Sequence, residues 1–419
     1  MKILLIGGGG RENSIIRSLA QSPRTTKLYA APGNAGIAGF AECFDVKATD
    51  IEGIIALAKS LAVDCVFVAP DDPLSMGLVD ELEAQGVRAF GPYKAAARLE
   101  SSKVFSKALM RKYGIPTAAH ESFDDPDAAI AYIKSKNEYP VVLKADGLAL
   151  GKGVIIAQDE GEALKAVSDL MLDKAFGNAG NNVVVEEFLS GREVTILAFC
   201  DGKTVVPMIS SQDHKKVFEG ERGLNTGGMG VFAPSRYYTA DIAAECEERI
   251  FQPTLRALES EGIVFKGVIY FGLMMTAKGV YVIEYNARFG DPEAQGILPL
   301  LETDLVDIMD AVIDQKLADI DIKWRGKHSV GVVMASGGYP EKYPTGFPIR
   351  GLDDISDPDV FVYHAGTKTA HGEVVTAGGR VLCVTAIADT HEDAIEKAYA
   401  AVGKISFEGQ HYRKDIGLV

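Results

Sequence analysis

The sequence predicts a multidomain protein that combines α/β and α+β units, and three observations support this. The chain has 419 residues, more than one hydrophobic core usually supports. Over residues 1–100, short apolar runs alternate with helical stretches, which is typical of a parallel sheet wrapped by helices. Farther along, strands follow one another with fewer helices between them, which favours α+β units.

The first unit is predicted to span residues 1–100 and to end after the turn signal Gly91-Pro92. Its predicted strands are Ile3–Ile6, Lys27–Ala30, Cys65–Ala69 and Arg88–Phe90, with helices near 11–21, 51–61 and 74–85. An amphipathic pattern then predicts one helix over Ala95–Tyr113, stopped by Gly114-Ile115-Pro116.

The second unit is predicted over residues 101–325, with a compact subdomain at about 118–190. The predicted strands of this subdomain are Val141–Ala145, Gly153–Ala157 and Val183–Glu187, with helices near 126–136 and 160–172. A mostly antiparallel sheet follows, formed by Arg192–Phe199, Thr204–Ser210, Lys266–Thr276 and Gly279–Asn286, with helices near 239–260 and 302–317. A C-terminal α+β unit, 326–419, contains the strands Ser329–Ala335 and Arg380–Asp389 and a helix near 391–404.

Composition excludes several classes of function. The net charge of -15 opposes binding to a nucleic acid backbone, and the apolar run Ile3–Ile6 is too short to span a membrane. The five cysteines are scattered without a zinc-type spacing, so they are expected to be reduced thiols. The sequence therefore predicts a cytoplasmic protein that acts on small molecules.

A glycine-rich loop follows the first predicted strand and precedes a helix. It comprises Gly7, Gly8, Gly9 and Gly10, followed by Arg11 and Glu12. The third glycine of a dinucleotide fingerprint is missing, and Ala30-Ala31-Pro32 lacks the acidic residue that would bind a ribose. The loop therefore favours a single phosphate group, and a purely structural tight turn is the alternative.

Lys144 lies on a strand that leads into a glycine-rich link containing Gly151, Lys152 and Gly153. The spacing does not match a P-loop, because only three residues separate Gly147 from Gly151-Lys152 and no Ser or Thr follows. A lysine followed by a flexible hairpin tip nevertheless suits binding of phosphates. An exposed β-hairpin without a ligand is the alternative.

A third segment combines an apolar strand with acidic residues at its end. Backbone groups at such a strand end can bind an adenine edge, and a carboxylate can hold ribose hydroxyls. The residues concerned are Glu186, Glu187, Phe188, Leu189 and Glu193. A solvated strand end explains the charges equally well.

The most specific pattern is Glu284-x-Asn286-x-Arg288 on a predicted strand. Side chains alternate along a strand, so Glu284 and Asn286 share one face as a pair of oxygen ligands suited to Mg²⁺. If the strand persists, Arg288 continues on that face and can stabilise a phosphoryl group. A structural salt-bridge cluster is the alternative.

These residues, preceded by Lys103, occur in the order found in ATP-grasp enzymes. Over essentially its whole length the chain resembles one family of that superfamily, the phosphoribosylamine–glycine ligases. The segments that carry this resemblance are Gly7–Glu12, Ser211–Lys215, Asn225–Gly230, Asn286–Glu293, Ser336–Pro340 and His364–Thr367.

The resemblance implies an ATP-grasp domain with a small lid, and ligation of glycine to 5-phosphoribosylamine through a glycyl phosphate, with ATP and Mg²⁺ or Mn²⁺ as cofactors. It implies that ATP is bound by Lys103, Lys144, Gly151, Lys152, Gly153, Glu186, Glu187, Phe188, Leu189 and Glu193. It implies that the metal is bound by Glu284 and Asn286, and that Arg288, Lys144 and Asp213 serve catalysis. The implied substrate contacts are Gly8, Gly9, Gly10, Arg11, Glu12, Asp213, Lys215, Asn225, Gly227, Gly228 and Asp291.

Asn13 and Asp71 differ from the family pattern on the side of the molecule expected to bind phosphoribosylamine, and we expect a monomer. The rival hypotheses are a sister ATP-grasp ligase or carboxylase, a nucleotide-binding scaffold, and a dinucleotide oxidoreductase.

Overall fold

The structure is a computed structural model that describes residues 1–148, 153–172 and 180–418. Gly151 and Lys152, predicted to bind phosphate, lie outside the described residues. Within the described part of the chain, no helix is long and apolar enough to cross a bilayer.

The N-terminal unit is built on a five-stranded parallel sheet, as predicted, with strand order β3-β2-β1-β4-β5. Its elements are β1 Lys2–Gly7, α1 Gly10–Gln21, β2 Lys27–Pro32, β3 Glu42–Cys43, α2 Ile51–Leu61, β4 Cys65–Val68, α3 Asp71–Met76, α4 Leu78–Ala84 and β5 Ala89–Phe90. The single helix predicted near 74–85 is wrong: Gly77, at φ +95°, separates α3 from α4 in a left-handed conformation that favours glycine.

The helix predicted over Ala95–Tyr113 is also two helices, α5 Lys94–Ser101 and α6 Lys103–Tyr113. Ser102 is extended, and its hydroxyl accepts a hydrogen bond from the amide of Phe105 at 3.1 Å, so it acts as the N-cap of α6. The break places Lys103 at the start of a helix.

A small four-stranded antiparallel sheet follows, with strand order β6-β9-β7-β8. Its elements are β6 His120–Phe123, α7 Pro126–Lys136, β7 Val141–Ala145, β8 Val154–Ala157, α8 Glu160–Val167 and β9 Val183–Glu187. The sheet has its own core of apolar side chains, among them Leu143, Leu170 and Val185. The strand β6 was not predicted.

The central sheet is antiparallel, as expected, in the order β11-β10-β16-β17. The elements of this part of the chain are β10 Arg192–Cys200, β11 Val205–Pro207, β12 Gln212–Asp213, β13 Lys216–Phe218, β14 Arg222–Asn225, β15 Gly230–Ala233, α9 Ala240–Cys246, α10 Gln252–Ser260, β16 Gly267–Thr276, β17 Gly279–Asn286, α11 Glu293–Ile297 and α12 Leu305–Ile313. Its two faces contribute to two large cores that also include side chains of the N-terminal unit.

The C-terminal sheet takes two strands from inside the range 101–325, because its order is β12-β15-β18-β22-β19. The remaining elements are β18 His328–Ala335, β19 Val360–His364, β20 Thr367–Ala370, β21 Glu373–Thr376, β22 Arg380–Ala388 and α13 His391–Val402. The pairing of β15 with β18 joins the C-terminal unit to the segment that carries Asp213.

Candidate functional site

A buried cluster of two lysines and one glutamate lies where the small sheet meets the central sheet. Lys144 on β7 and Lys107 on α6 each place Nζ 3.0 Å from the same carboxylate oxygen, Oε2 of Glu186. All three residues are 2–4% exposed. Burial by itself raises the pKa of Glu186, but Lys144 and Lys107 outweigh it, so the pKa lies below its usual value.

Lys103 lies at the entrance of the same region, at the N-terminus of α6. Its Nζ donates to the carbonyl of Gly147 at 2.9 Å. Asp146 stabilises this helix start, since its Oδ1 accepts from the amide of Val104 at 3.1 Å. The broken helix thus brings Lys103 to the beginning of the glycine-rich link.

A β-bulge on β17 orients Glu284. Gly272 of β16 pairs with Glu284 and Leu273 pairs with Val282, so Ile283 is an extra residue on β17. The bulge moves Glu284 off the core face that holds Val282, and the freed carbonyl of Ile283 accepts from Nζ of Lys144 at 3.1 Å. Burial by itself raises the pKa of Glu284, but the positive charges of Lys215, Lys144, Lys103 and Arg288 outweigh burial, so the pKa lies below its usual value.

Beyond the bulge, Asn286 shares the face of Glu284, whereas Tyr285 between them is buried in the core. The amide of Asn286 fits its surroundings with the nitrogen donating to Oε1 of Glu100 at 3.1 Å and to the carbonyl of Tyr285 at 3.2 Å. This orientation leaves the amide oxygen available as a ligand, so the pair fits the oxygen donor set that Mg²⁺ prefers.

Arg288 does not extend the strand face that carries Glu284 and Asn286, because β17 ends at Asn286. The guanidinium instead forms an ion pair with Glu100 at 2.7 Å, and its Nε is buried with no hydrogen-bond partner in the part of the chain that the structure describes. The strand therefore does not continue to Arg288, as its predicted place on the face of Glu284 required. Arg288 nevertheless remains among the cations that lower the pKa of Glu284.

Asp213, on β12, lies among carboxylates. Burial raises its pKa well above the usual value, and Glu293, Glu193 and Glu284 raise it further, whereas Lys215 lowers it. Lys215 forms an ion pair with Glu193 at 3.0 Å. The structure thus brings Asp213, Lys215 and Glu193 to the same region as Glu284.

The glycine-rich loop between β1 and α1 is packed tightly against other parts of the chain. A Cβ on Gly8 would lie 2.4 Å from the carbonyl oxygen of Gly33, and one on Gly10 would lie 2.4 Å from Nε2 of Gln295. The amide of Gly9 donates to Oε2 of Glu12 at 2.7 Å. Close packing against the backbone of Gly33 therefore requires glycine at position 8, and the Gly9 amide already has an anionic partner.

Arg11 points into the protein, with Nε 2.6 Å from Oε1 of Glu12 and one terminal nitrogen donating to the carbonyl of Phe289 at 3.1 Å. Its backbone amide lies 3.4 Å from Oδ2 of Asp291. These contacts attach the first loop to the segment that follows β17.

Asp291 is the point at which all three units meet. Arg380, at the start of β22, lies 3.3 Å from Oδ1 of Asp291 and donates to the carbonyl of Gly227 at 2.7 Å. Gly228, at φ +115°, has no room for a Cβ, which would lie 2.4 Å from Pro292. Asn225 ends β14, at the base of the hairpin that precedes these glycines.

The remaining predicted residues lie around the end of β9. The side-chain carboxylate of Glu187 accepts from the amide of Ala119 at 2.9 Å, and Phe188, which follows the strand, is 41% exposed. Leu189 continues the link to β10, and Gly153 pairs with β7 through its carbonyl, 2.9 Å from the amide of Ala145.

Sequence reasoning missed three charged residues of this region: Glu100, Lys107 and Arg380. Lys107 lies one helical turn after Lys103, so the i, i+4 spacing on α6 was a usable signal. Glu100 and Arg380 carry no local signal, because their partners Arg288 and Asp291 are distant in the sequence.

Across the described ranges, no group of three or more His, Cys, Asp or Glu side chains forms a metal cluster. Glu284 and Asn286 are a pair of oxygen-bearing side chains on one face of β17, and two protein oxygens are a number that suits a metal also bound by substrate phosphates.

Family models match three consecutive parts of the chain. They are the N domain of phosphoribosylglycinamide synthetase at residues 1–100, its ATP-grasp (A) domain at 101–294 and its C domain at 329–419. These matches confirm the resemblance inferred from the motifs, and with the structure they confirm the three-domain fold class.

Individual relatives agree with the family models. A phosphoribosylamine–glycine ligase of Caldanaerobacter subterraneus subsp. tengcongensis is 49% identical over 417 residues, covering 99% of each chain. The crystal structure of the Thermotoga maritima phosphoribosylamine–glycine ligase has a TM-score of 0.87 at 32% identity and covers 99% of this chain and 100% of its own. A biotin carboxylase domain of Hydrogenobacter thermophilus, with a TM-score of 0.75 at 17% identity, covers 98% of this chain and 91% of its own and shares the fold. This chain belongs to the phosphoribosylglycinamide synthetase family.

Proposed function

We propose that this chain ligates glycine to 5-phosphoribosylamine, with cleavage of ATP to ADP and phosphate and a glycyl phosphate as intermediate. The observation that carries the proposal is that residues 284–291 have contacts of two different kinds at their two ends. At one end of this segment Lys144 donates to the carbonyl of Ile283 beside Glu284, whose carboxylate is under the electrostatic influence of Lys215, Lys144 and Lys103. At the other end Asp291 contacts the first glycine-rich loop and Arg380. One short segment therefore joins a cation-rich half suited to ATP to a second half suited to the amine substrate.

In the first half, Lys103 and Lys144 contact the ATP phosphates, and Gly151, Lys152 and Gly153 are expected to bind them as well. Glu186 and the backbone of Glu187, Phe188 and Leu189 bind adenine, and Glu193 binds the ribose. Oε1 of Glu186 supports this placement, because it is buried, no described residue donates a hydrogen bond to it, and it can accept one from the adenine amino group.

Glu284 and Asn286 supply oxygen ligands for Mg²⁺ or Mn²⁺. The bound metal would neutralise charge on the transferring phosphoryl group.

In the second half, Asp213 faces the glycine ammonium, and Arg288 and Lys215 face the carboxylate or the phosphoryl oxygens. The phosphoribosylamine lies beside Gly8 to Glu12, Asn225, Gly227, Gly228 and Asp291. Since Glu12 already holds the Gly9 amide, the loop acts here mainly through its shape and its other amides.

The chemistry has two steps. A carboxylate oxygen of glycine attacks the γ-phosphorus of ATP, the bond to the β-γ bridging oxygen breaks, and ADP leaves. The amine of 5-phosphoribosylamine then attacks the acyl carbon, inorganic phosphate leaves, and the amine nitrogen loses a proton. The side chains position the reactants and neutralise charge in both steps, so no covalent nucleophile is needed.

The test is phosphate release from ATP with glycine labelled with ¹⁸O in its carboxylate. The amine is generated freshly from ribose 5-phosphate and ammonia, with ammonia omitted as the control. We expect release that requires glycine and the amine, with one ¹⁸O atom in each phosphate. Release with another acid or amine would assign the chain a sister reaction, and unlabelled phosphate would exclude the acyl phosphate. We also expect a cytoplasmic monomer, and light scattering tests the monomer.

A further inference from the structure

The buried cluster around Glu186 contains one more cation than carboxylate. Lys107 and Lys144 share a single oxygen of Glu186, and the other oxygen has no partner among the described residues. A carboxylate buried to this degree needs at least one ionic partner, because an unpaired buried charge is strongly destabilising. Either lysine would meet that need alone, so the second requires another explanation.

The two lysines are anchored differently. Nζ of Lys107 donates to the hydroxyl of Thr117 at 2.7 Å, and that hydroxyl donates to the carbonyl of Val282 at 2.7 Å. This chain of bonds ties Lys107 into the core of the central sheet. Lys144 instead donates to the carbonyl of Ile283, the bulge residue directly beside Glu284.

Lys144 is therefore the lysine that can leave Glu186 for a ligand, and Lys107 is the one that stays. We propose that Lys107 is a positioning residue of the nucleotide site: it holds Oε2 of Glu186 in place, which frees Lys144 for the ATP phosphates and keeps Oε1 directed at the adenine amino group. This inference rests on the proposed function, because it takes ATP as the ligand of Lys144 and Glu186.

Without Lys107, Lys144 would be the remaining ionic partner of Glu186. Lys144 would then be held back from the phosphates, or Glu186 would take up a proton and lose its preference for an amino group at position 6 of the purine. Both effects weaken the binding of ATP. The second also reduces discrimination against ITP, which carries an oxygen at that position.

The experiment is calorimetric titration of the full chain with the non-hydrolysable analogue β,γ-imido-ATP, together with kcat/KM for ATP and for ITP. Lys107→Met is compared with Lys107→Arg, which keeps the charge, and with Lys112→Met, an exposed lysine on the same helix that pairs with Glu261. We expect Lys107→Met to weaken binding about tenfold to a hundredfold, the range of one charge-assisted hydrogen bond. We expect the ATP/ITP preference to fall as well, with partial rescue by Lys107→Arg and no change in Lys112→Met.

A double-variant cycle separates positioning from general stability. If Lys107 acts through Glu186, then Lys107→Met adds little to the loss of affinity already caused by Glu186→Gln. Full additivity, or an equal loss for ATP and ITP, would overturn the inference. If Lys107→Met does not fold, Lys107→Gln takes its place, with the same outcomes.

Failure of the wild type to bind the analogue would refute the proposed function. Normal binding by the wild type and by Lys107→Met alike would refute only the role of Lys107.

Discussion

His214, between Asp213 and Lys215, is expected to make stability depend on pH. The residue is 2% exposed, and neither ring nitrogen has a hydrogen-bond partner among the described residues. Burial lowers the pKa of His214 to about 4, Arg413 acts in the same direction, and Asp415 opposes it. The folded protein therefore keeps this imidazole neutral at a pH where the unfolded chain protonates it.

The direction of the change in stability with pH follows from which state takes up the proton. Above pH 6.5, the ordinary histidine pKa, the ring is neutral in both states and stability is unaffected. As the pH falls toward 4, only the unfolded chain takes up the proton, so the folded state loses stability. At about 1.4 kcal/mol for each pKa unit, the full loss is about 3 kcal/mol, and about 2 kcal/mol of it is reached at pH 5.

The assay is urea unfolding of the wild type and of His214→Leu at pH 7 and pH 5, followed by circular dichroism. The wild type should lose about 2 kcal/mol more than the variant between the two pH values. Burial also lowers the pKa of His364 to about 4. This residue is present in both proteins, so its contribution to the pH dependence cancels in the comparison. Replacement of the exposed His371 by asparagine is the control and should behave as the wild type. An equal pH dependence of His214→Leu and the wild type would refute the reasoning.

Three further substitutions test the site and its supports. Glu284→Gln should leave the protein folded and lower kcat about 10²–10³-fold, because it removes one electrostatic contact of the transition state; phosphate release and circular dichroism measure this. Gly8→Ala should lower the free energy of unfolding by about 1–3 kcal/mol, since the added Cβ would lie 2.4 Å from the carbonyl oxygen of Gly33. The same change should raise the KM for 5-phosphoribosylamine and leave binding of the ATP analogue unchanged. Arg413→Met should lower the free energy of unfolding by about 2 kcal/mol in urea, because fully buried Arg413 pairs with Asp415 at 2.8 Å and that partner is only partly shielded from water.

Each substitution has a matched control at an exposed position. Glu121→Gln removes a surface carboxylate, Gly39→Ala adds a Cβ that meets no atom of the described residues within 4 Å, and Arg350→Met breaks an exposed ion pair. Controls that lose as much activity or stability as the test variants would contradict the assigned roles. Normal turnover by Glu284→Gln would remove Glu284 from the site.

Much of the fold was predictable, because local patterns report local structure. The alternation of apolar runs and helices over residues 1–100 correctly predicted a parallel sheet, and the apolar runs around Lys144 and Glu284 were correctly taken as strands. Breaks inside helices were missed, because Ser102 and Gly77 occur within continuous amphipathic patterns. The short strands β12 to β15 were missed as well, since two- to four-residue strands leave little periodicity.

The sequence by itself determined the family and the order of the three units, and it supplied the residues of the proposed nucleotide site, because these depend on motifs of a few neighbouring residues. The tertiary structure decided where those side chains point. The extra residue Ile283 turns Glu284 away from the core face of Val282, and Lys107 meets Lys144 only through Glu186 on a third element. Contacts between residues far apart in the chain depend on register and packing, and neither is encoded in a local pattern.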